Sequence, residues 1–156
     1  MEININCDLG EKSKLHSDHN DPELLSIVNS ANIACGYHAG DEETMSKVIQ
    51  ISKKNNVSIG AHPSFKDIEN FGRKRQNLNS SEIKKLIINQ YEILQAVASK
   101  HNEKVTHIKP HGALNNMACE DMELSITIAK TIEEIDKNLI YLVPTGSKME
   151  TAGNKY

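Results

Sequence analysis

Arginine is scarce in this 156-residue chain, and the charge of the chain is nearly balanced. The two arginines are Arg73 and Arg75, and the formal net charge is −3. A protein that binds nucleic acid by neutralising phosphates needs a clear surplus of basic side chains. We therefore expect no nucleic-acid partner.

Cysteine is also scarce. Cys7, Cys35 and Cys119 are widely spaced, and no Cys-x-x-Cys pair occurs. An odd number of cysteines at such spacings argues against both a disulfide framework and a zinc knuckle. We predict reduced and mostly buried thiols, with Cys7 and Cys35 in the core.

Long hydrophobic runs are absent. No stretch approaches the roughly 18 apolar residues that a membrane-spanning helix needs. The first residues, MEININ, lack the basic start and the apolar stretch of a secretory signal peptide. We therefore expect a cytoplasmic protein that has no membrane partner.

What the chain does have is a regular alternation of short apolar segments and amphipathic helices. Helix starts are marked by Asp21 before a proline, by Asp41, and by a capping box that begins at Asn79. The predicted elements, in chain order from the first strand, cover residues 2–7, 21–29, 31–35, 41–54, 57–61, 79–102, 105–109, 121–136, 139–143 and 147–153. This alternation predicts one α/β domain over residues 1–156 with parallel strands. Because the units are consecutive, a (β/α) barrel is favoured, and a doubly wound open sheet is the alternative.

Ionisable residues, including several of the seven histidines, follow the predicted strands. Parallel α/β folds bind ligands at the carboxyl ends of their strands. Strand alternation places Asp8 and His62 on polar faces, whereas Ile3, Ile5 and Cys7 share an apolar face that should pack against helices. The strand-end candidates are Asp8, Glu11, His38, Asp41, His62, Lys109 and His111.

Two kinds of chemistry fit a carboxylate, three imidazoles and an amine at one sheet edge. Aspartate and neutral histidine can hold a divalent metal that activates water, with Asp8, His38 and His62 as candidate ligands. Alternatively, the same groups act as general acid and base while Lys109 stabilises an oxyanion. The spacing of the residues leaves both open.

Other polar residues have simpler expected roles. His16 and His19 lie in a polar loop and are expected to be solvated, and His101 is expected to cap the long helix. Asp41 also suits a helix cap. The basic segment 71–75 is either a solvated turn or a site for an anionic group that includes Arg73.

Five segments of the sequence resemble the LamB/YcsF family. They are NCDLGE at 6–11, SANIACGYHAGD at 30–41, IGAHPSF at 59–65, FGR at 71–73 and HIKPHGAL at 107–114. They occur in the family's order across nearly the whole chain. Two departures are Tyr37, where phenylalanine is usual, and Asn115, where a tyrosine usually follows the last segment.

The resemblance implies a parallel (β/α) barrel of the glycoside hydrolase/deacetylase type. About five βα units are present, and the family's later strands have no counterpart, so we expect an incomplete barrel that is truncated at its C-terminus. The resemblance also implies ATP-dependent hydrolytic opening of 5-oxo-L-proline to L-glutamate. The chain would act as one subunit of a 5-oxoprolinase whose partners are subunits B and C.

On this interpretation Asp8 and His62 position or activate water, and Lys109 neutralises developing negative charge. The predicted substrate-binding residues are Glu11, His38, Asp41, Arg73 and His111. ATP is the expected co-substrate, with a divalent metal either on ATP or at the site. The sequence has no GxxxxGK[ST] loop, so the ATP site is of another type or shared with the partners. Two alternatives stay open: a metal-dependent, deacetylase-like hydrolase, and a non-catalytic assembly or regulatory subunit.

Overall fold

The structure, a computed structural model, describes residues 3–12 and 20–156. Strands and helices alternate along these residues. The elements are β1 (Asn6–Leu9), α1 (Asp21–Leu24), β2 (Ser30–Ala34), α2 (Glu42–Lys54), β3 (Ser58–His62), α3 (Ser80–Lys100), β4 (His107–Ile108), α4 (Gly112–Glu120), α5 (Met122–Ile135), β5 (Ile140–Tyr141) and α6 (Lys148–Gly153).

The strands form one parallel sheet in the order β1-β2-β3-β4-β5. A doubly wound sheet would reverse its strand order at a switch point, and the described strands contain no such reversal. Sequential parallel strands joined by helices form the arc of a (β/α) barrel. The predicted fold class is confirmed.

Helix α4 is an addition to the predicted elements. It begins directly after β4, where His111 occupies the N-cap position without a side-chain capping bond. Position 111 thus has none of the residues Ser, Thr, Asp or Asn that usually mark a helix start, so the start of α4 was not predicted. The next helix, α5, begins as predicted because Asp121 caps the backbone amides of Glu123 and Leu124.

The start of the chain differs from the prediction. Strand β1 begins at Asn6 rather than residue 2, and Ile3 and Ile5 are 73% and 50% exposed. The two isoleucines precede the paired part of the strand, so strand alternation does not bring them onto the helices. Asp21 is not an N-cap either; Asn20 holds that position, and Asp21 Oδ2 accepts a hydrogen bond from the Gly10 amide at 3.0 Å.

Helix α1 also ends earlier than predicted, at Leu24. The chain must turn there because the Asn29 amide donates to the carbonyl oxygen of Ile5, at 2.8 Å, just before β2 begins. The predicted apolar strand at 139–143 is shorter as well. It contains the two residues Ile140 and Tyr141, and Ile140 is 59% exposed at the edge of the described sheet.

The apolar face of the inner strands packs against the helices. Ile33, Ile59 and Ile108 lie in one buried cluster with Ile49 of α2 and Ile87 of α3. Burial of a side chain of this size contributes about 1.5–3 kcal/mol. The opposite face of the same strands is left for polar residues. Among the described residues, no helix is both long and apolar enough to cross a bilayer.

The capping box of α3 generates a stability prediction. Asn79 Oδ1 accepts from the Glu82 amide at 3.1 Å, and Glu82 Oε2 accepts from the Asn79 amide at 2.7 Å. Asn79→Ala should lower the free energy of unfolding by about 1 kcal/mol, measured by urea denaturation. Asn79→Asp is the matched control because it keeps an acceptor at the cap. An equal loss in both variants would contradict the capping role.

Candidate active site

One row of residues crosses the polar face of the sheet. In the strand register Asp8 pairs with Asn32, Asn32 with Gly60, and Gly60 with His107. Residues in one register row project to the same face of a sheet. Asn32 is completely buried, and its Nδ2 donates to Asp8 Oδ1 and to Asn6 Oδ1, both at 2.8 Å. The orientation of Asp8 is therefore held by a neighbour on the next strand.

His107 reaches Asn32 across the strand that lies between them. Its Nε2 lies 3.0 Å from Asn32 Oδ1. A Cβ atom at position 60 would lie only 2.1 Å from the His107 ring, so the glycine provides the space that this contact needs. Because the Asn32 amide donates to two oxygens, its Oδ1 accepts from His107, which therefore carries a proton on Nε2.

The His107 ring is neutral near pH 7. Burial lowers its pKa to about 4, and the positive charges of His62 and Lys109 add to this effect. The Thr106 hydroxyl lies 3.0 Å from His107 Nδ1 and donates to the Ile59 carbonyl oxygen, also at 3.0 Å. The row from His107 to Asp8 is thus a chain of matched donors and acceptors.

Asp8 forms an ion pair with Lys109. Lys109 Nζ donates to Asp8 Oδ1 at 2.6 Å and to Oδ2 at 2.9 Å, and His62 Nε2 lies 3.4 Å from Oδ2. Burial raises the pKa of Asp8, but hydrogen bonding and charge attraction from His62 and Lys109 outweigh it and hold the pKa well below its ordinary value. The two side chains are 34% and 30% exposed, so an ionised pair is accessible to a ligand.

A second group, the histidine cluster, consists of Glu11, His38, His62 and His111. Glu11 Oε1 lies 3.0 Å from His38 Nε2, 3.2 Å from His111 Nδ1 and 3.6 Å from His62 Nε2. The His38 and His111 rings are stacked, with centroids 3.8 Å apart. The three rings are almost fully buried, whereas Glu11 is partly exposed. The cluster joins the carboxyl ends or following loops of β1, β2, β3 and β4.

The charges in the histidine cluster depend on burial and on close contacts. Burial raises the pKa of Glu11, but hydrogen bonding with His111 and His38 and the attraction of His62 lower it to about 2. Burial lowers the pKa of His38 to about 4, against the opposing effect of Glu11. Glu11 is therefore a carboxylate, and His38 is a neutral imidazole, near pH 7.

Adjacent segments hold the cluster in place. Gln90 of α3 accepts from the Ser64 amide at 3.0 Å and donates to the Ser64 carbonyl at 2.8 Å, which fixes the loop after His62. The segment around Gly72 packs closely over the rings. Gly72 has a φ of +66°, and a Cβ there would lie 2.9 Å from His38 Cβ and 2.2 Å from Ser64 Oγ.

The ion pair and two members of the cluster, His62 and His111, border a cleft of about 540 Å³. Lining residues include Asp8, His62, Arg73, Lys109, His111 and Asn115. The exposed Arg73 lies with its Cζ 5.5 Å from the Phe71 ring centroid. Two cationic side chains beside a cleft of this size suit a small anionic ligand. A separate cavity, of about 220 Å³, is formed by α5, β5 and α6 and contains none of these residues.

The structure brings together most of the predicted site residues. Asp8, Glu11, His38, His62, Lys109 and His111 form two groups that His62 and Asp8 connect, and Arg73 lines the cleft with them. Asp41 does not line the cleft. Its Oδ1 accepts from the Thr44 amide at 2.7 Å, so its carboxylate caps α2, which was its other predicted role.

His101 and the three cysteines lie apart from the cleft. His101 ends α3, as expected, and its Nε2 lies 2.8 Å from Ser46 Oγ. His16 and His19 fall outside the described residues. The three cysteines are free thiols. Burial raises the pKa of Cys35 to about 12 and also raises that of Cys7, so both remain protonated.

Sequence reasoning assigned no role to Asn32, His107 or Gln90. Their signal is a polar side chain within an otherwise buried element. β2 is buried at every position, and Asn32 and His107 lie on the predicted polar faces of their strands. For Gln90 the signal is a glutamine on the buried face of α3. These residues position Asp8 and the loop that follows His62.

Because Gly60 packs against the His107 ring, substitutions at positions 60 and 107 should have coupled effects on the free energy of unfolding. Gly60→Ala should lower the free energy of unfolding by about 1–3 kcal/mol, because the new methyl overlaps the His107 ring. In a His107→Ala background the methyl has space, so the same substitution should cost at least about 0.5 kcal/mol less. Denaturant unfolding of the two single variants and the double variant measures this difference. Additive effects would contradict the packing argument.

The neutral state of His107 predicts a pH dependence of stability. Its pKa is about 4 in the folded chain, against an ordinary value of 6.5. Between these pH values the unfolded chain binds a proton that the folded chain does not, so stability falls as the pH drops through this window. The decline should be smaller in His107→Gln, measured by urea unfolding at both ends of the window. An unchanged decline would show that His107 is not the source.

Comparison with known proteins gives a consistent result. The LamB/YcsF family profile matches residues 3–156. The A subunit of 5-oxoprolinase from Nitrobacter hamburgensis is 44% identical over 154 residues, which are 98% of this chain and 60% of that protein. The protein of the same name from Staphylococcus epidermidis is 43% identical over 142 residues, which are 91% of this chain and 56% of that protein.

A solved structure shares the fold. The lactam utilization protein from Thermus thermophilus aligns with a TM-score of 0.94 and 33% identity, over 99% of this chain and 63% of that one. The chain therefore spans about three fifths of the length of the relatives that it matches. Since the family profile and the fold agree over nearly all of its residues, the chain belongs to the LamB/YcsF family.

Proposed function

We propose that this chain takes part in the hydrolytic opening of 5-oxo-L-proline to L-glutamate, within an ATP-dependent 5-oxoprolinase of several subunits. The observation that carries the proposal is the accessible Asp8–Lys109 ion pair beside His62, in a cleft that fits a small lactam. The names of the relatives, the A subunit of 5-oxoprolinase and lactam utilization protein, support the same substrate class. Subunits B and C are the proposed partners.

The chemistry explains why ATP is needed. A five-membered lactam is a stable amide whose opening near neutral pH is unfavourable without coupling. Transfer of the terminal phosphoryl group of ATP to the lactam oxygen releases ADP and makes the lactam carbon electrophilic. Water then adds to that carbon, the ring carbon–nitrogen bond breaks, and a second water hydrolyses the resulting acyl phosphate to a carboxylate and free phosphate. The ring nitrogen takes a proton and becomes the amine of glutamate.

We assign these steps to three residues of this chain. Lys109 can neutralise negative charge on the lactam oxygen. Asp8 is ionised and can accept a hydrogen bond from the attacking water. His62 Nδ1 donates to the carbonyl oxygen of Lys109 at 2.6 Å, which leaves Nε2 to face Asp8 and take a proton.

The remaining roles concern binding. Arg73 lies on the cleft wall and can pair with the carboxylate of 5-oxoproline. His111 borders the same cleft, and Glu11, His38 and His111 contact His62 and orient it. The sequence has no GxxxxGK[ST] loop, so we assign the phosphate-binding part of the ATP site to another type of loop or to the partner subunits.

The test is glutamate release from 5-oxoproline and ATP by this chain together with subunits B and C. Asp8→Asn and His62→Ala should each lower turnover at least about a hundredfold, the usual effect of losing an acid–base group. Asp121→Asn and His101→Gln are matched controls outside the cleft and should keep near-normal turnover. The full-length Nitrobacter hamburgensis relative, with equivalent substitutions, should be assayed in parallel.

Two results would overturn the proposal. One is near-normal turnover of both Asp8→Asn and His62→Ala. The other is glutamate release by subunits B and C that does not rise when this chain or its relative is added. In the second case the chain would have an assembly or regulatory role, and it should bind the partners without any effect of changing Asp8, His62 or Lys109.

A further inference from the structure

The histidine cluster has the dimensions of a metal site. One ligand-type atom from each of its four residues lies within 4.8 Å of all the others. The contacts are 3.0, 3.2 and 3.6 Å from Glu11 Oε1 and 2.9 Å between His62 Nε2 and His111 Nδ1. A tetrahedral zinc site with bonds of about 2.0–2.1 Å separates its ligand atoms by about 3.3–3.4 Å. Four of the six separations are close to that spacing, and the other two, which involve His38, are no longer than 4.8 Å.

Backbone carbonyls orient two of the rings as metal ligands. His62 Nδ1 donates to the Lys109 carbonyl at 2.6 Å, and His111 Nε2 donates to the Phe71 carbonyl at 2.9 Å. The other nitrogen of each ring therefore faces the interior of the cluster, where its lone pair can bind a proton or a metal ion. Donation from the second ring nitrogen to a backbone carbonyl is the usual support of a metal-bound histidine.

The two ring nitrogens that face each other in the cluster, His62 Nε2 and His111 Nδ1, must have a proton or a metal ion between them. His62 Nε2 and His111 Nδ1 are 2.9 Å apart, and both face the carboxylate of Glu11. Acceptor atoms at this distance repel one another unless a proton or a metal ion separates them. The cluster must therefore hold one or the other.

His38 can supply the third nitrogen. Its Nε2 lies 3.0 Å from Glu11 Oε1, while its buried Nδ1 has no hydrogen-bond partner among the described residues. Without a metal ion, Nε2 carries the ring proton and donates to Glu11; an ion bound to Glu11 would shift that proton to the unpartnered Nδ1 and leave Nε2 as a ligand. Three imidazoles and one carboxylate are a donor set typical of zinc.

We propose that Glu11, His38, His62 and His111 bind one divalent transition-metal ion of the zinc type. This set differs from the metal ligands considered from the sequence, because Asp8 is paired with Lys109 and Glu11 and His111 replace it. The ion would link the loops after four strands of the sheet. The inference rests on the site of the proposed function and is tested without its reaction. With an ion on Nε2, His62 would be a ligand instead of the proton acceptor, and the ion would polarise the water that Asp8 positions.

The experiment measures binding of Zn²⁺ to the chelator-treated chain alone, without 5-oxoproline, ATP or partner subunits. Titration calorimetry and metal analysis after dialysis should give one equivalent. Co²⁺ in the same site should show the intense visible absorption of four-coordinate cobalt. Because no substrate or partner is present, the outcome is separate from that of the turnover assay.

Variants identify the ligands. Glu11→Gln and His111→Ala should weaken Zn²⁺ binding at least about a hundredfold, beyond the range typical of losing an outer-shell partner. Glu120→Gln and His101→Gln are matched controls at surface positions outside the cluster and should bind like the parent chain. Circular dichroism confirms that each variant is folded, and Glu11→Gln provides a nearly isosteric change if His111→Ala unfolds.

Absence of binding by the folded parent chain would overturn the metal proposal and leave a shared proton in the cluster. Parent-like affinity in folded Glu11→Gln would overturn the assignment of these ligands, because the ion would then bind elsewhere. If Zn²⁺ binds and turnover is nonetheless insensitive to Asp8→Asn and His62→Ala, the metal site stands and the proposed function fails.

Discussion

The row of hydrogen bonds from His107 through Asn32 to Asp8 is the constraint on which the site depends. It spans four strands of one register row and exists because the third position in the row is Gly60. Each member of the row is oriented by its neighbour, so the carboxylate of Asp8 meets Lys109 in a defined geometry. Leaving these buried polar groups without hydrogen-bond partners would cost free energy. Because they pair with one another, one arrangement of the side chains is favoured over others.

His62 connects this row to the second charged group. Its Nε2 lies between Asp8 Oδ2 and the Glu11 carboxylate, while its Nδ1 is held by a backbone carbonyl. Two carboxylates so close to one ring would repel each other without compensating positive charge. Lys109 compensates Asp8, and the imidazoles, with a proton or a metal ion, compensate Glu11. The proposed catalytic role and the proposed metal-binding role therefore both use His62 Nε2.

Strand alternation was informative wherever the strands are paired. Asp8, Asn32, Gly60 and His107 share a polar face, as alternation indicates, and Ile33, Ile59 and Ile108 share the apolar one. Alternation failed at Ile3 and Ile5 because these residues precede the ladder. Helix α4 escaped prediction because its start has no capping side chain, whereas the capped starts of α2, α3 and α5 were predicted.

The sequence by itself determined the fold class and the positions along the chain from which the site residues come, since apolar periodicity and helix caps are local properties. Only the tertiary structure decided which of those residues meet. Asp8 and Lys109 are 101 positions apart, and Glu11 and His111 come from opposite parts of the described sheet. Asp41 follows the same strand as His38, yet its carboxylate caps α2 instead of lining the cleft. Contacts between distant strands depend on the register of the sheet and on the space that Gly60 leaves for His107. Neither can be predicted from a local sequence pattern.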